Sequence, residues 1–250
     1  MNKKGFTVAE VLASIAIVGF LAALTLPQMA TNHQKKVFGN SLAAAVSDLE
    51  NAMSLLKAND GVDRMQSTAA WKGDFLENIK VVLPYREDDV SFSSRAALKK
   101  GNSAVSVSSD YAILNKKNIL YAFTIPETDK KIKETDVMLK GGALVSQAAE
   151  VWIDVNGEDK PNVVGRDTFY FYLGEDGKLY PYGGKDWAIY EELISSGGDP
   201  EEEEEEESGE ESGEESGEDP NDVAKEQCTT WADGRYCGAY LQNNGYVMNY

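Results

Sequence analysis

The chain has 250 residues, enough for one domain or one domain with a stalk, and its 42% hydrophobic and 10% aromatic content is that of a folded protein. The formal charge is −18, but residues 199–219 hold fourteen acids and no base, which leaves about −4 for the rest. No basic face is present, so nucleic acid is not an expected partner; with one histidine, two cysteines and no nucleophile motif, an enzyme is not expected either.

The chain begins Met1-Asn2-Lys3-Lys4-Gly5, short and positive, and continues into an apolar run over residues 6–26 in which Glu10 is the only charge. As a helix this run spans roughly 31 Å, the thickness of a bilayer core at about 30 Å. A secretory signal has a shorter apolar core closed by a small-residue cleavage site, and no such site follows here. Lys3 and Lys4 favour a cytoplasmic N-terminus, with the rest of the chain outside the membrane. A carboxylate within an apolar span is costly, so Glu10 either sits at headgroup level or has a partner.

Lys3-Lys4-Gly5-Phe6-Thr7-Val8-Ala9-Glu10, with the uninterrupted apolar residues up to Pro27, resembles the processing site of type IV prepilins and type II secretion pseudopilins. The resemblance implies that a prepilin peptidase cuts between Gly5 and Phe6 and methylates the new amine of Phe6. It also implies that Glu10, fifth in the processed chain, serves assembly. A cationic amine and a neighbouring subunit's carboxylate can enter an apolar filament core together, since a paired buried charge is tolerated where an isolated one is not. The implied product is a structural subunit of a type IV pilus, a secretion pseudopilus or a DNA-uptake filament. Its implied partners are the prepilin peptidase, other pilin or pseudopilin subunits, an inner-membrane assembly platform and the lipid bilayer. The implied location is the bacterial inner membrane, single pass, and then a periplasmic pseudopilus or surface pilus. A monomeric membrane-anchored binding or adhesion protein is the competing reading, but a plain anchor needs neither Gly5-Phe6 nor Glu10.

Pro27 lacks an N–H and clashes with the preceding turn. Two outcomes stay open: a kink or local melting there, or the end of the span with a new helix after Asn32. His33, just past the apolar run, is read as an ordinary polar position. Phe38, Leu42, Val46, Leu49, Met53 and Leu56 then recur at steps of three and four, a helical stripe opposite Lys36, Asn40, Asp48, Glu50, Asn51 and Lys57. The stripe is too short to favour a coiled-coil seam over packing on a head. Asn59-Asp60-Gly61 supplies a stop. The expected long helix therefore has an assembly half, residues 6–27, and an amphipathic half, residues 28–58.

Residues 59–198 read as a globular head. Short helices are expected at 75–79 and 94–99, and strands at 111–114, 119–125, 151–155, 169–173 and 178–181. Glu175-Asp176-Gly177 signals a hairpin turn between the last two. Strands after a long helix point to an α+β fold with an antiparallel sheet, the arrangement of a pilin head. Asp154, Asn156 and Asp159 crowd oxygens around a glycine turn, without the EF-hand spacing. They read as a structural turn first and as a calcium site second; no other cofactor is expected.

Residues 199–220 form an acidic Glu/Ser/Gly insert with a repeated Glu-Ser-Gly-Glu unit, expected to be a solvated loop. An exposed adhesive or cation-binding tract is the alternative. In the final segment, residues 221–250, Cys228 and Cys237 suit a disulfide in an oxidising compartment, or else two buried thiols. Such a C-terminal loop also fits the resemblance. Alternating aromatics over 238–250 suggest a last strand.

Overall fold

The computed structural model describes residues 7–60, 79, 83, 85, 92, 95–98, 104–107, 109–126, 130–132, 145–183, 225, 226, 228, 229 and 234–250. The chain divides into two compact units, Met1–Val37 and Phe38–Tyr250. Helix α1 covers Val8–Asp60. It passes through Pro27 without ending, so neither a melted stretch nor a restart after Asn32 is found. Pro27 removes only the bond that Ala23 O would accept, and the turns on either side of it keep theirs.

In the second unit the six strands are β1 (Tyr111–Leu114), β2 (Leu120–Thr124), β3 (Lys130–Ile132), β4 (Val145–Asp154), β5 (Thr168–Gly174) and β6 (Leu179–Pro181). All pairings are antiparallel, in the order β1-β2-β4-β5-β6. β3 pairs with the first residues of β4, on the edge that β2 takes further along. The α+β class expected from the sequence is therefore present, with a wholly antiparallel sheet.

Period-two alternation gives this sheet two apolar faces. Tyr121, Phe123, Val151, Ile153, Phe169, Phe171 and Leu173 share one core with the α1 stripe, whose Phe38, Leu42, Val46, Leu49, Met53 and Leu56 are 0–9% exposed. Each such side chain contributes about 1.5–3 kcal/mol of apolar burial. Polar bonds fix the register between helix and sheet. The Tyr121 hydroxyl donates to Ala45 O at 3.2 Å, and Leu179 N donates to Glu50 Oε1 at 3.1 Å. Lys117 Nζ lies 2.5 Å from Asp48 Oδ2. On the opposite face Leu114, Leu120, Ala122, Trp152 and Tyr170 pack with Phe92, Ala97 and Val105.

The turns follow the local sequence. Gly174 N donates to Lys178 O across the expected β5–β6 hairpin, and Gly177 takes φ +82°. Between β1 and β2 the Asn115 side chain accepts from Lys117 N and Ile119 N, each at 2.9 Å.

Two expectations are corrected. Residues 94–99 are not a helix at the described positions. Arg95 exchanges backbone bonds with Val105, while Ala96 donates to Asn162 O and accepts from Val164 N. Two ladder partners on separate segments, together with burial of Ala97, outweigh the helix propensity of Ala-Ala-Leu-Lys-Lys. The terminal segment is not a strand: α2 (Cys237–Asn243) occupies it, followed by a turn. Tyr236 with Tyr240, and Cys237 with Leu241, are buried at a spacing of four, the helical period hidden among the aromatics. The expected helix at 75–79 lies outside the described residues except Ile79, which is helical and fully buried.

Candidate functional site

Four of the expected processing residues, Lys3, Lys4, Gly5 and Phe6, lie outside the described residues. The first turn of α1 is described, and it gives Glu10 a local task. Glu10 Oε2 accepts from Thr7 N at 2.8 Å and from the Thr7 hydroxyl at 2.9 Å. Thr7 Oγ1 accepts in turn from Glu10 N at 3.3 Å. This reciprocal pair is a capping box: it satisfies two backbone donors that the start of a helix leaves unbonded, and it puts a carboxylate at the positive end of the helix dipole. The sequence reading missed it, although Thr7-x-x-Glu10 carries the signature.

Beyond the cap, the helix turns its apolar side chains outward. Val8, Val11, Leu12, Ile15, Ile17, Val18, Phe20, Leu21, Leu24, Leu26 and Met29 are 46–77% exposed. A contiguous apolar surface of this extent marks a membrane or partner contact. The helix is long and apolar enough to cross a membrane. Its hydroxyls are satisfied locally, with Thr25 donating to Leu21 O at 3.0 Å and Thr31 to Pro27 O at 2.9 Å. His33 is exposed on the same helix.

In the head, the calcium candidates do not converge on an open site. Asp154 is fully buried, and the cation it faces is Arg95. Its Oδ2 accepts from Arg95 Nε at 3.1 Å and from the Thr168 hydroxyl at 3.0 Å, while Oδ1 accepts from Asn156 N at 3.2 Å. The Arg95 guanidinium also lies 4.2 Å from the centre of the Phe92 ring. Asn156 donates its amide to Asp159 O and Lys160 O, and Asp159 Oδ2 accepts from Asn118 Nδ2. Among the described residues no group of three or more His, Cys, Asp or Glu side chains is placed to hold a metal ion. The oxygens thus organise the β4–β5 loop, in which Asp167 accepts from Asn162 N at 2.7 Å and Val163 N at 2.6 Å. Burial and the nearby Asp167 charge push the Asp154 carboxyl up to about 7, against the opposing effects of Arg95, Thr168 and Asn156. Burial raises Asp167 as well.

The two cysteines form the expected disulfide, Cys228–Cys237, with both residues fully buried. It sits against the β4–β5 loop: a Cβ on Gly165 would come within 2.7 Å of Cys237 Sγ. The Tyr250 hydroxyl closes the same loop by donating to Gly165 O at 2.5 Å. The acidic insert lies outside the described residues. No family model, no curated protein and no solved structure matches the chain.

Proposed function

We propose that the chain is a pilin-like structural subunit, processed between Gly5 and Phe6, methylated on the Phe6 amine, and polymerised through its N-terminal helix. The observation that carries this reading is the Lys3-Lys4-Gly5 leader followed by Phe6, four residues before Glu10, on a helix that exposes its apolar side chains. A membrane accounts for that exposed surface before assembly, and neighbouring copies of the same helix account for it afterwards. The antiparallel head and its disulfide fit an extracytoplasmic location, where such bonds persist. The helix is then more than an anchor, because its Phe6 amine and Glu10 of a neighbouring subunit form the charged pair that sets subunit register.

Mass spectrometry of the membrane-extracted protein tests the processing step. The expected N-terminus is Phe6 carrying one added methyl group. Recovery of the chain with Met1 still in place overturns the proposal.

A further inference from the structure

Between Glu10 and Asp48 the helix carries no acidic residue, yet His33, Lys35 and Lys36 follow directly on its apolar surface. Lys35 is half-buried and already has a partner. Lys36 is exposed, as are Asn32 and His33, which lie four and three residues before it on the same helix face. Its neighbours one turn away are Asn32, His33, Gly39 and Asn40, so the helix offers it no counter-charge. Neither of the ion pairs described above involves it.

Position supplies what the helix does not. Lys36 stands ten residues past Leu26, where the apolar run ends, and seven past Met29, the last large exposed apolar side chain before it, which is roughly 10 Å along the axis. The headgroup layer on each side of a bilayer core is about 5–8 Å deep. Helical side chains tilt toward the N-terminus, and lysine extends its stem along apolar surface to place its ammonium in the polar layer. The Lys36 ammonium therefore reaches back to the depth of lipid phosphates, with the Asn32 amide and the His33 imidazole beside it as further donors. A cation at this end of the span runs against the usual bias toward the leader side.

We propose that Lys36, supported by Asn32 and His33, binds the phosphate of anionic glycerophospholipid headgroups at the membrane face away from the leader. This rests on the membrane-spanning role proposed for the helix. The test is lipid selectivity of the full chain reconstituted in phosphatidylcholine vesicles, using trace spin-labelled phosphatidylglycerol against spin-labelled phosphatidylcholine. The wild type is expected to prefer the anionic lipid by about fivefold more than Lys36→Gln, with Lys36→Arg retaining the preference and high salt abolishing it. Undiminished selectivity in Lys36→Gln assigns the effect to other cations, Lys3 and Lys4 included, and overturns the proposal. Unchanged selectivity with loss of self-association in that variant places Lys36 against a second copy and overturns it too. A chain that fails to float with the vesicles overturns the spanning role itself; one that floats without selectivity overturns only the lipid site.

Discussion

Gly39 and Gly19 lie on the same helix, and they should respond differently to alanine. An exposed helix glycine replaced by alanine ordinarily stabilises by about 0.8–1 kcal/mol. Gly19 has nothing within 4 Å of an added Cβ and lies in the unit Met1–Val37, which holds no tryptophan, so Gly19→Ala should leave the head's unfolding unchanged. A Cβ on Gly39 would lie 2.1 Å from the carbonyl oxygen of Tyr246. An unstrained C···O contact is about 3.3–3.6 Å, so the terminal backbone must retreat by more than 1 Å. If the tail shifts, overpacking costs about 1–3 kcal/mol. If it undocks, buried Met248 gives up about 1.5–3 kcal/mol and the Tyr250–Gly165 hydrogen bond about 1 kcal/mol. Against the helix gain, Gly39→Ala should be destabilised by about 0–2 kcal/mol if the tail shifts and by about 1.5–3 kcal/mol if it undocks. Equilibrium urea unfolding of the full chain in detergent, followed by tryptophan fluorescence and near-ultraviolet circular dichroism, measures this. Deleting residues 246–250 should make the second substitution harmless, a non-additivity that reports their contact. A Gly39→Ala chain at least as stable as wild type would refute the docking of the tail on α1.

Glu10→Gln separates two roles of that residue. Glutamine still accepts the Thr7 hydrogen bonds of a capping box, so the first turn should stay ordered by amide exchange, while filament yield should collapse if the charge matters. Normal filaments from Glu10→Gln would remove charge pairing from the mechanism. The Asp154 carboxyl is raised in the fold, from an ordinary 3.8 to about 7, so its ionisation opposes folding. The folded state then binds the extra proton between those values, and its stability should fall as pH rises from about 4 to about 7 and level off above. Thermal unfolding of Asp154→Asn should show a flatter profile over that range; an unchanged slope would exclude Asp154 as the source. Replacing both Cys228 and Cys237 by serine releases a loop of separation 9, worth about 2.5–3 kcal/mol by chain entropy. The denaturation midpoint should drop accordingly, and reduction of the wild type should lower it comparably.

What was legible in the sequence followed strong periodicity. The α1 stripe from Phe38 to Leu56 was readable because steps of three and four persist over five turns, and burial bears it out position by position. β1, β2, β5 and β6 were readable from β-branched and aromatic runs between turn residues. The first half of β4 was not, because Gln147, Ala148 and Ala149 have no strand pattern, and the register shifts between Gln147 and Ala149. β3 is three residues, two of them lysine, and exists only through its partner. The Arg95–Asp154 pair joins residues 59 apart in sequence, which no local reading can supply. Asp154 therefore looked like a cation ligand from its neighbours when its cation came from another segment. α2 was misread because tyrosines at alternating positions imitate a strand, although the buried ones fall four apart.

The close approach of Tyr246 to Gly39 also bears on the order in which the chain can fold. α1 is synthesised before the head, but residues that complete its packing come from the segment 240–250, and the Tyr250 hydroxyl closes a loop 85 residues upstream. Contacts between distant segments form late, since loop closure must precede any gain from them. The Phe38–Leu56 stripe thus stays incompletely covered until residues 240–248 have been synthesised, in a chain whose helix α1 already exposes a long apolar surface. A stalled or truncated product would carry both surfaces at once and become a substrate for aggregation or proteolysis. Synthesis of the segment that reaches Tyr250 is therefore a checkpoint on the head, set by where in the chain those contacts are encoded.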